Sequence, residues 1–130
     1  MKGTIKLDNP IAVAIDGKQA QLSELKYDTD EITGALFCEA DSKRRFAAGA
    51  KNVSIAPAAE FDYGLHLYLG FAAVIAATPG IDFADLERIH GVDVITVMEV
   101  GRNFIMKSED SEQSNSDEPS ETTAVPTTQA

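Results

Sequence analysis

Cysteine is almost missing from this chain of 130 residues: Cys38 stands alone, so no intramolecular disulfide can form. Bases are scarce as well, 11 Lys and Arg against 21 Asp and Glu, a formal net charge of −10. Such a balance repels phosphate backbones, and the single basic cluster is Lys43-Arg44-Arg45, so nucleic-acid binding is not expected. No apolar run is long enough for a membrane span; the longest, Tyr63–Ala77, has 15 residues and is interrupted by His66. The opening MKGTIKLDNP lacks the apolar core of a signal segment, which predicts a cytosolic protein. Nor do the glycines cluster into a phosphate loop: Gly64, Gly70 and Gly101 are each isolated within helical patterns. A close helix crossing on Gly64 and Gly70 is only weakly indicated, because the two do not share a face.

What is present divides into two parts. Residues 108–130 carry six acids, no base and three apolar residues, Ala124, Val125 and Ala130. Burial of so little apolar surface cannot offset the entropy of ordering, which predicts a disordered acidic tail. Residues 1–107 keep a net charge of −4 and are about half apolar, the composition of one globular domain.

Residues 4–7 alternate in polarity and read as a strand, with Asn9-Pro10 breaking central pairing. Ile11, Val13 and Ile15 share a face and lead into Asp16-Gly17, a two-residue sequence suited to a type I′ turn. Across it Ile15 should pair with Lys18, Val13 with Ala20 and Ile11 with Leu22, which gathers the apolar residues on one face. A helix is expected from Asp28, with Glu31 closing a capping box and Ile32, Ala35, Leu36 and Ala40 at helical spacing, toward Ala48 and a stop at Gly49. A second helix, apolar nearly all round, is expected from about Ala58 to Thr78, ended by Pro79-Gly80. Asp82, with Asp85 in the first turn, caps a short helix through Ile89 that stops at His90-Gly91. Residues 92–106 are rich in Val and Ile, but their length favours a helix over a strand. The expected fold is α+β: an N-terminal β-hairpin or small antiparallel sheet packed on three to four helices, followed by the acidic tail.

No constellation for catalysis is visible. His66 and His90 have no Cys or acidic partner at ligand spacing and read as structural, and the acidic groups Asp28/Asp30/Glu31 and Asp82/Asp85 read as helix starts. Cys38 reads as a small buried hydrophobe, and Lys43-Arg44-Arg45 as a solvated surface. No catalytic residue, cofactor or metal is expected. The positive signal concerns association. Phe61, Leu65, Tyr68, Phe71 and Ile75 form the densest apolar stripe. Two readings of it stand: a core packed by the chain's own helices, or a face that takes a client or a second copy.

The order of these features resembles a known family. Pro10-Ile11-Ala12-Val13 leads to Asp16-Gly17-Lys18 and then to Leu22-Ser23-Glu24-Leu25-Lys26-Tyr27; Asp30-Glu31-Ile32-Thr33-Gly34 opens toward Glu39-Ala40; after a middle helix come Ile81-Asp82-Phe83-Ala84-Asp85-Leu86, Val92-Asp93, Val97 and Phe104. Over residues 4–106 this set resembles the small tail assembly chaperones of phages, the family that includes the tail proteins E of myophages. The resemblance implies a non-enzymatic role in the host cytoplasm. There such proteins coat the aggregation-prone tape measure protein and give way as the major tail tube protein polymerises around it, so that the finished virion lacks them. A small structural or adaptor subunit of a phage tail or another complex is the alternative.

Overall fold

Asp16 and Gly17 both take positive φ, 53° and 77°, so the Asp-Gly pair forms the tight turn its sequence predicts. In the computed structural model, which describes residues 1–48 and 62–117, this turn joins β1 (Lys2–Ile15) to β2 (Lys18–Asp28). The register matches the expected one at Ile15↔Lys18, Val13↔Ala20 and Ile11↔Leu22, and the two strands form a two-stranded antiparallel sheet. Asn9-Pro10 interrupts the pairing as expected, although the strand itself runs on through it. Pairing resumes at Lys6↔Glu24 and Ile5↔Leu25, and the extra residues of β1 are absorbed as an irregularity between Lys6 and Ile11. Bulges are where a strand tolerates proline, which has no N–H to contribute to the ladder. The irregularity keeps the core residues Ile5, Leu7, Ile11 and Val13 of β1 on one face.

The edge of β1 does not face solvent unaided. The Asp93 carboxylate accepts from the backbone N–H groups of Asp8 and Asn9, both at 2.9 Å, and the Arg88 guanidinium donates to the Ala12 carbonyl. On β2 the strand residues Gln19 and Gln21 are exposed.

The first helix starts later than its cap pattern predicts. Lys2↔Asp28 pairing keeps Asp28 extended, and its carboxylate accepts from Asp30 N, capping only a 3₁₀ turn, Thr29–Glu31. Helix α1 (Gly34–Ala48) begins after it, with the Thr33 hydroxyl accepting from Leu36 N at 3.1 Å. The sheet has overridden a local signal that was chemically sound. Helix α2 (Tyr63–Ala77) is capped by Asp62, whose Oδ1 accepts from Leu65 N at 3.0 Å; residues 58–61, where its start was expected, and the expected stop at Gly49 lie outside the described residues. Helix α3 (Phe83–Leu86) is capped by Asp82 as expected, in a reciprocal capping box with Asp85, but ends before Ile89. Helix α4 (Val92–Asp117) confirms a helix rather than a strand after Gly91. Its backbone continues past 107 to Asp117, and residues 118–130 lie outside the described residues. The protein is therefore an α+β fold, a hairpin packed on helices.

Helix α2 is the central element, packed against β2, α1, α3 and α4. Leu69, Phe71, Ala72, Ala73 and Val74 are essentially inaccessible, which explains a helix apolar nearly all round. Its crossing with α4 rests on Gly70 and Gly101. A Cβ at Gly70 would overlap the Val97 carbonyl oxygen, and one at Gly101 the His66 carbonyl oxygen. The close approach thus joins one glycine from each helix rather than the Gly64/Gly70 pair.

Candidate docking surface

The four stripe residues that the structure describes are not presented to solvent together. Leu65, Tyr68 and Phe71 are buried, Ile75 is half-buried against the same core, and Phe61 lies outside the described residues. Within a single chain the core reading of the stripe holds for these residues, each large one contributing about 1.5–3 kcal/mol by burial. Tyr68 meets Phe71 edge to face at 4.9 Å between centroids and stacks on Phe83 at 6.2 Å.

The hydroxyl end of buried Tyr68 meets an exposed residue. Its hydroxyl donates to Glu87 Oε2 at 2.7 Å. Burial, that hydrogen bond and the carboxylate's charge, in this order, raise the phenol well above its usual range. Glu87 is in turn fixed in place, although exposed, and makes no ion pair with any cation among the described residues.

Glu87 stands in the wall of an open groove of about 360 Å³. Phe46 and Ala47 of α1, Leu67, Tyr68 and Phe71 of α2, Ile89, and Val94 of α4 supply the rest of its lining. Phe46 is 84 % exposed, the most solvent-accessible large apolar side chain among the described residues. A phenylalanine held in water at the rim of an apolar groove is unfavourable for the isolated chain, and surfaces of this kind mark association sites. Sequence reasoning missed Phe46, Glu87 and Val94 as a group because they come from α1, the turn after α3, and α4. One signal was available: Phe46 lies off the Ile32/Leu36/Ala40 stripe that seats α1, so an aromatic there has no core to enter.

Two further expectations are corrected nearby. Arg44 is not a solvated member of a basic run. It is buried, bound to Asp62 at 2.6 Å and to Asp41 at 3.5 Å, and so ties the end of α1 to the N-terminal cap of α2. Only Arg45, paired with Asp41 at 3.1 Å, and Lys43 lie on the surface. Cys38 is exposed rather than buried, because the α1 face seated on the core carries Leu36, Phe37 and Ala40 instead.

His66 is fully buried and meets the Tyr63 ring edge at 5.9 Å; His90 is exposed, with its carbonyl accepting from Asn9 Nδ2. Among the described residues no three His, Cys, Asp or Glu side chains converge as a metal site would require, and no helix is long and apolar enough to cross a membrane. The groove is thus the feature with most to offer a partner: apolar walls from four parts of the fold and one fixed carboxylate. Compared with protein-family models, curated proteins and solved structures, the chain gives no match.

Proposed function

We propose that the chain is a non-enzymatic tail assembly chaperone. It binds the phage tape measure protein in the host cytoplasm, keeps it soluble, and yields it to the major tail tube protein as the tube assembles. The observation that carries this reading is the open apolar groove with Phe46 at its rim. A carrier must cover apolar surface on its client reversibly, and a shallow, solvent-open groove suits modest affinity repeated along a long chain. The order of motifs over residues 4–106 supports the family, and the net charge of −10 suits a protein that keeps an aggregation-prone client in solution.

Co-expression with the tape measure protein of the same virus, followed by affinity purification through this chain, tests the proposal. The expected outcome is a soluble client that co-purifies with several copies of the chain and is lost when tube protein is added. An insoluble client, with this chain purifying alone, would remove the chaperone reading. Finding the chain in fixed copy number in assembled particles would establish the structural-subunit alternative instead.

A further inference from the structure

We propose that the groove receives an amphipathic helix bearing a lysine or arginine beside its apolar residues, with Glu87 as the anchor for that base. The choice of a foreign helix as occupant rests on the carrier reading above.

Charge complementarity within an apolar frame selects the occupant. Among the described residues the lining contains aromatic and aliphatic side chains and a single ionisable carboxylate, with no base. That carboxylate is held from behind by a buried phenol, so one oxygen is engaged and the side chain is fixed before anything binds. No cation among the described residues is paired with it. A partner that filled the groove with apolar atoms alone would take water from the carboxylate and return nothing. One that brings an ammonium or guanidinium exchanges that hydration for a charge-assisted hydrogen bond. Helices α1, α2 and α4 and Ile89 form the walls, and no strand edge lines them among the described residues, so the fitting element is a helix laid on its apolar face rather than an added strand. Phe46, Leu67 and Val94 would meet its apolar residues, and Glu87 its base.

The probe is a short Leu/Lys amphipathic helical peptide ending in tryptophan, added to the full chain. The chain has no tryptophan, so the emission reports the peptide alone. Its companions are a peptide with Glu at the lysine nearest the apolar face, and a scrambled peptide that keeps composition and loses the face. The lysine peptide should bind and the scrambled one should not. Glu87→Gln should weaken binding roughly tenfold, and Glu87→Lys should reverse the preference toward the glutamate peptide. Phe46→Ser, at a side chain already in water, should also weaken binding roughly tenfold without unfolding the protein.

Equal binding to wild type and Glu87→Lys would overturn the assignment, as would equal binding of the scrambled peptide or no binding at all. A chain that sediments as a dimer and becomes monomeric on Phe46→Ser would give the groove to a second copy and overturn it too. The two proposals fail separately. If wild type and Glu87→Lys both keep the tape measure protein soluble, the carrier reading stands and the anchor falls. If the peptides behave as expected while that client is ignored, the groove stands and the carrier reading falls.

Discussion

At Gly101 a side chain would have to share space with the His66 carbonyl oxygen, and at Gly70 with that of Val97. In an isolated helix, Gly→Ala is favourable by about 1 kcal/mol. Here the overlap is with backbone, which cannot rotate aside, so the crossing must open and lose packing across α2 and α4. Gly101→Ala should therefore destabilise the protein by about 1–3 kcal/mol despite its better helix propensity, read as a lower urea midpoint. An unchanged or raised midpoint would mean that the helices are not seated this closely. Neither glycine announced this role in the sequence. Each is isolated within its own helix, and the pair exists only once two segments far apart in the chain meet. Arg44 and Cys38 were misread for a related reason. Cys38 lies off the Leu36/Ala40 face that α1 turns inward, and Arg44 lies on it, buried through its pairing with Asp62, a partner that only the assembled fold supplies.

Between elements, the joint between hairpin and α4 is the most specific. Asp93, second residue of α4 and 1 % exposed, receives two N–H groups released where β1 departs from regular pairing. Its position also sets a negative charge at the helix N-terminus, where the dipole favours it. Asp93→Ala should remove both hydrogen bonds to a charged acceptor from the Asp8 and Asn9 N–H groups and cost about 1.5–3 kcal/mol in all, since water can reach these partly exposed groups. Urea denaturation reads the loss, and faster amide exchange at Asp8 and Asn9, with slow exchange retained at Val13, would locate it. Uniformly faster exchange would instead show that the joint and the whole fold open together. The hairpin itself was legible down to its register, because Asp-Gly fixes the turn and alternation fixes the face. The start of α1 was not, since Asp28 is equally able to cap a helix or to end a strand. Only the pairing with Lys2 decides between them.

For the molecule as a whole, 21 acids against 11 bases mean net self-repulsion. Local pairs such as Arg44–Asp62 and Arg88–Asp85 oppose it only at short range. Salt shortens the screening length from about 30 Å at 0.01 M to about 8 Å at 0.15 M, which weakens long-range repulsion more than close pairs. The thermal midpoint should consequently rise by about 2–4 °C over that range, equivalent to ~0.5 kcal/mol for a domain of this size. A falling midpoint in a thermal melt would show that the ion pairs dominate. The candidate groove lay beyond sequence reading for a reason of the same scale: its walls come from α1, α2, α4 and the turn after α3, and only the assembled fold brings them together. The guarded edge of β1 has a last consequence. A two-stranded ribbon ordinarily offers both flanks to further strands, which is how sheets propagate into fibres. With Asp93 and Arg88 occupying one flank, any strand addition is confined to the other, and a ribbon that can grow from one side only terminates after a single step.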